Sequence, residues 1–121
     1  MPQSDAAGRA AVNTDIKAVH TDLIAIAAAL DEAVGKAKTA AEVNDLLDKL
    51  ADVNDRVTAI GRKLFAQQTA AIHDAASAVT KATAKTRQAI AELDEVKDII
   101  EGVTRFLTLV DKVIAVAGRM L

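Results

Sequence analysis

Only one of the 121 residues, Pro2, is a proline, and behind it aliphatic side chains recur at helical intervals along almost the whole chain. Proline removes an amide donor and clashes with the preceding turn, so its absence leaves room for long helices. Strand signals are missing as well. No run alternates β-branched and polar residues, and no Asn-Gly or Asp-Gly pair offers a hairpin turn.

The first stripe is Val12, Ile16, Val19, Leu23, Ile26, Leu30 and Ala33, in steps of three and four, which places them on one helical face. Ser4 or Asp5 can cap this helix, or Asn13 or Thr14 if its regular part starts later. Gly35 with Lys36 and Lys38 closes it, since glycine tolerates a left-handed cap and cations suit the carboxyl end of the dipole. Thr39-Ala40-Ala41-Glu42 then matches a capping box. The stripe that follows is Val43, Leu46, Leu50, Val53, Val57, Ile60 and Leu64, and its acids precede Arg56, Arg62 and Lys63 as the dipole prefers. Two helices joined across residues 35–39 make an antiparallel hairpin.

Beyond Leu64 the register fails at Gln67 and Asp74, and a new one starts at Ile72. A turn is expected within 67–77, with Asp74 as a candidate cap. From Ile90 a stripe runs through Leu93, Val96, Ile100, Val103, Leu107, Val110, Ile114, Ala117 and Leu121, with Gly102 as a candidate kink. The expected fold is therefore all-α: a single domain over 1–121 in which three long helices (about 5–34, 40–70 and 75–118) form an antiparallel bundle with coiled-coil-like packing. A kink near Gly102 would make them four, and residues 1–12 are expected to fray.

Composition narrows the function. With 51% apolar and 26% charged residues the chain can build a core, but Phe65 and Phe106 are its only aromatics. Aliphatic and alanine side chains must fill the interior. A net charge of −2 argues against a dedicated nucleic-acid binder. Lys81, Lys85 and Arg87 form one locally basic segment without an aromatic for stacking. No cysteine is present, which removes disulfides and thiolate chemistry and suits a reducing compartment. No signal peptide and no membrane-length apolar run are visible, so a cytoplasmic address is expected.

Catalytic and cofactor constellations are not found. His20 and His73 lack ligand partners at three- or four-residue spacing, so no metal, cofactor or catalytic residues are expected, and no small-molecule substrate is implied. Asp45, Asp48, Asp52 and Asp55 form an acidic ridge, either a solvated face or a stripe for a basic partner.

The widest apolar surface lies near the carboxyl end. Ile99, Phe106, Val113 and Met120 repeat every seven residues beside the main stripe, and Leu109 and Val116 widen the arc. Such a helix can cover two neighbours. If its end outreaches them, the exposed strip calls for a partner. Ile99, Val103, Phe106, Leu107, Val110, Val113, Ile114 and Met120 are the expected interface of a non-enzymatic module that self-associates or binds a helical partner. A lipid- or membrane-surface role, as a coat or pore component, is the alternative.

Overall fold

The computed structural model describes residues 11–92 and 95–119. It holds four helices: α1 (Thr14–Lys36), α2 (Ala40–Gly61), α3 (Ala70–Glu92) and α4 (Val96–Arg119). No strand occurs among the described residues. The all-helical bundle matches the expectation; the number and limits of its helices do not.

α1 begins at Asn13, whose side chain accepts from the Ile16 amide at 3.0 Å. Ser4, Asp5 and the rest of 1–10 lie outside the described residues. The predicted capping box is present in α2. Thr39 Oγ1 accepts from Glu42 N at 3.1 Å, while the Glu42 carboxylate reaches back to Lys38 N, one residue before the cap, at 2.9 Å.

α2 stops at Gly61, well short of 70, and the predicted break at 67–77 is instead a link over 62–69. The chain leaves the helix by tightening. Lys63 N, Leu64 N and Ala66 N each donate to the carbonyl three residues back, so Leu64, last of the sequence stripe, sits in the turn. Thr69, and not Asp74, caps α3: its Oγ1 accepts from Ile72 N at 3.1 Å. Thr69 lacks the reciprocal Glu three residues on that marks Thr39, because Ile72 stands there.

The last expected helix is divided between Glu92 and Val96, not at Gly102. The Glu95 carbonyl accepts from Asp98 N and Ile99 N as α4 starts. Gly102 lies inside an unbroken α4, and a Cβ built there would meet nothing within 4 Å. Replacing Gly102 by Ala should therefore stabilise the bundle by about 0.5–1 kcal/mol through helix propensity, read as a raised denaturant midpoint.

The helices occupy the corners of a square. α1 packs beside α2 and α3, and α4 beside α3 and α2, leaving α1/α4 and α2/α3 on the diagonals. α1 and α3 run parallel, since His73 meets Asp15 and, seven residues on in both helices, Thr80 meets Asp22. Two antiparallel hairpins, α1/α2 and α3/α4, thus lie side by side, and the 62–69 link crosses the bundle end diagonally.

That crossing is fastened by one buried side chain. Asn13 is fully buried; its backbone amide donates to Leu64 O at 2.7 Å, and its Nδ2 donates to Ala66 O at 3.1 Å and Gln67 O at 3.3 Å. Gln68 adds a bond to Thr14 Oγ1. An irregular link therefore has its inward carbonyls satisfied by the residue that starts α1.

The core runs the length of the square. Ile16, Val19, Leu23, Ile26 and Leu30 of α1 meet Leu46, Val53 and Ile60 of α2, Ile72 and Val79 of α3, and the α4 row Val96, Ile99, Val103, Phe106, Val110, Val113 and Ala117. α3 contributes small or polar buried residues, Ala75, Ala76, Thr83 and Thr86, and the bulk of Phe106 lies beside its Ala82 and Thr86. Thr83 satisfies its hydroxyl on Val79 O. No buried side-chain N or O atom of the described residues lacks a hydrogen-bond partner.

Candidate functional site

The expected interface residues are mostly inside this core. Ile99, Val103, Phe106, Leu107, Val110 and Val113 are all at most 4% exposed, Ile114 is half-buried, and Met120 lies outside the described residues. A helix with so wide an apolar arc needs cover, and α2 and α3 supply it within one chain. As a free docking surface these six side chains are not available. The separation of α3 from α4 makes this possible, because α4 packs back along α3.

What remains outside is the margin of that arc. On its α3 side, Gly102 and Leu109 border a groove whose other wall is Ala82, Lys85 and Ala89. Val116 continues the Gly102–Leu109 row at the same seven-residue step and is half-buried like Leu109. The groove exists because both walls are small: alanines on α3 and a glycine on α4. Lys85 and Arg105 stand on its rims and Asp98 at one end.

The groove between α2 and α4 is polar and bridged. Between α2 and α4, Asp45, Asp48, Asp52 and Glu101 alternate with Lys49 and Lys97. Lys49 pairs with Asp52 at 3.3 Å, and Arg56 forms a two-pronged pair with Asp111 at 2.9 and 3.1 Å. That bond, foremost, raises the Arg56 pKa further. The acidic ridge is thus partly internal to the bundle's own charge lattice. Between α1 and α3 an alanine-lined groove carries Glu32, Arg87 and Gln88.

Both histidines serve packing or pairing. His20 lies against Gly61, 3.8 Å from where a Cβ would be. His73 Nδ1 lies 2.9 Å from Asp15 Oδ1, and this bond, then the Asp15 charge, raises the His73 pKa above its ordinary 6.5. The sign follows: the pair's contribution is full below about pH 6.5 and disappears as pH rises through the elevated folded-state value. The pair is exposed, so the stability effect is small. Ring-proton titration by NMR should place His73 above its ordinary 6.5, and Asp15→Asn should lower it. No group of three or more metal-ligating side chains occurs among the described residues, and no helix there is long and apolar enough to cross a membrane.

The sequence stripes omitted two residues that the structure exposes, Ile24 at 49% and Leu47 at 45%. Their signal was there to read: each is a large aliphatic lying off the core register of its own helix. Phe65, on the crossing link, is 61% exposed.

No protein-family model matches the chain, and neither the curated proteins nor the solved structures contain a detectable match.

Proposed function

We propose that this chain is a non-enzymatic helical interaction or scaffold module whose partner-binding surface is the outer α3/α4 groove. The observation that supports this reading is the groove itself: a continuous apolar trough of Ala82, Ala89, Gly102 and Leu109 with cations on both rims. A groove between two helices, floored by small residues, suits an apposed helix face and gives a small molecule little enclosure. The absence of cysteine suits work in the reducing cytoplasm.

A photo-crosslinking residue placed at Leu109 should give a discrete protein adduct, either with the chain itself or with another protein. Unlabelled wild-type chain should compete for it, and the Leu109→Asp variant should not. A crosslinker at Arg87, in the α1/α3 groove, should give none. Equal labelling from both positions, or none from Leu109, would remove the reading.

The same rims support a second reading, adsorption to anionic lipid, since cations flanking an apolar strip are what such a surface attracts. It predicts co-sedimentation with phosphatidylserine vesicles that Leu109→Asp abolishes. Absence of sedimentation at low salt would dispose of it.

A further inference from the structure

The link that joins the two hairpins is built from residues that favour helix. Arg62, Lys63, Leu64, Ala66, Gln67 and Gln68 are among the better helix formers, and the segment 62–69 contains neither glycine nor proline. Its first half has barely left the helix. Arg62 keeps right-handed backbone angles (φ −71°, ψ −13°), and Lys63, Leu64 and Ala66 donate to carbonyls three residues back. Within the link, only 66–69 carry no regular structure. The change of register between α2 and α3 is no bar to continuity. Ile60, Leu64, Gln68 and Ile72 follow in steps of four, which a helix accommodates by a local change of winding.

The bend is held by Asn13. Three link carbonyls take donors from this residue: Leu64 O from its backbone amide, and Ala66 O and Gln67 O from its Nδ2. In a continuous helix the same carbonyls would accept from the amides of Gln68, Ala70 and Ala71. Ala70 and Ala71 open α3, where amides have no carbonyl of their own helix to meet. Asn13 thus stands in for three helical hydrogen bonds and competes directly with the straight form of the link. Phe65 is left 61% exposed by the bend, so no aromatic burial holds it.

We propose that the 62–69 link is a hinge latched by Asn13, and that on release α2 and α3 join into one helix over 40–92 and the chain exchanges hairpins with a second copy. The partner is fixed by the core itself. The α1/α2 hairpin of one chain covers the α3/α4 hairpin of the other with the contacts that the closed chain already makes, including the Arg56–Asp111, His73–Asp15 and Thr80–Asp22 bonds. Closed monomer and exchanged dimer therefore differ mainly in the link, which is the condition for domain swapping at low cost. Within one chain the hairpins meet at an effective concentration on the order of mM, which favours the monomer until the preference of the link tips. The exchanged dimer is a closed two-fold pair, each chain contributing a helix about 80 Å long. The outer α3/α4 groove lies within one hairpin and is present in both forms, so this inference stands apart from the role of the groove.

Asn13→Ala tests it in the full chain, warmed to just below its melting midpoint at about 0.5 mM, cooled, and sized by sedimentation velocity. The variant should dimerise at least about tenfold more tightly than the wild type, which should remain monomeric. Adding Gln67→Gly/Gln68→Gly, each opposing helix by about fivefold, should return the variant to monomer. A variant that associates merely because its core has loosened would not be rescued by a more flexible link. If Asn13→Ala does not fold, Asn13→Asp keeps an acceptor for Ile16 N and carries the same expectations.

The straight link has its own signature. The chain has no cysteine, so spin labels on Asn44→Cys/Gln88→Cys are unique, and both positions are exposed. They lie about 66 Å apart along one helix, against about 35 Å or less across the closed square, whose neighbouring axes are about 10 Å apart. In Asn13→Ala diluted with unlabelled chain, the longer distance should appear together with the dimer. A variant that stays monomeric overturns the proposal, and so does a wild type that dimerises as tightly as the variant. A dimer that keeps the short distance within each chain, or one that survives the two glycines, overturns it equally.

Discussion

Replacing Asn13 by Ala should destabilise the bundle by roughly 2–4 kcal/mol, more than its position at the end of a surface helix suggests. Loss of an N-cap oxygen alone costs about 1 kcal/mol. Here the same side chain, itself fully buried, also donates to Ala66 O and Gln67 O in the part-buried diagonal link. Carbonyls left without those donors add about 1 kcal/mol or more between them. Asn13→Asp offers the discriminating comparison. It keeps the acceptor for Ile16 N but sets a carboxylate against two carbonyl oxygens, so it should restore the cap and not the link. Urea unfolding should then order stability as Asn, Asp, Ala, with both variants at least about 1 kcal/mol below wild type. A loss under about 0.5 kcal/mol in both would mean that the link does not depend on Asn13.

The two phenylalanines should respond oppositely to truncation. Phe106 is 1% exposed and fills the space that the small α3 residues leave, so Phe106→Ala should cost about 3–5 kcal/mol. Phe65 is 61% exposed, and Phe65→Ala should stay within about 0.5 kcal/mol of wild type. The Phe106 loss should be the same at low and high protein concentration, because its cover comes from within the chain. A destabilisation that appears only where the protein associates would place Phe106 at an interface between molecules.

Legibility in the sequence followed the strength of local chemistry. The α1/α2 hairpin was readable because two aliphatic stripes and the Thr39/Glu42 box agree; the expected glycine cap does not form, since Gly35 lies inside α1 and Ala37, with extended backbone, ends it. The later boundaries were not. Thr69 caps α3 without a partner Glu, and the 93–95 connection contains neither Gly nor Pro, so a stripe stepping from Ile90 to Val96 passes across it unbroken. Gly102 misled in the other direction, since one glycine costs a long helix only about 1 kcal/mol and packing absorbs that.

The site was legible as a width, not as a location. Apolar residues across Ile99, Val103, Phe106 and Leu107 signalled that α4 touches two neighbours, which it does. Periodicity does not say whether a neighbour belongs to the same molecule. That depended on α4 packing back against α3. The groove margin at Gly102 and Leu109 becomes visible only once the corners of the square are assigned.

Native-state hydrogen exchange across residues 99–117, followed as the protein is diluted into the monomeric range, tests the central claim most directly. If α2 and α3 of the same chain cover the broad face of α4, protection there should match the most stable amides of α1 and remain unchanged on dilution. Protection that falls as the concentration falls would show that this face is covered by another molecule, and would contradict the four-cornered fold described for the single chain.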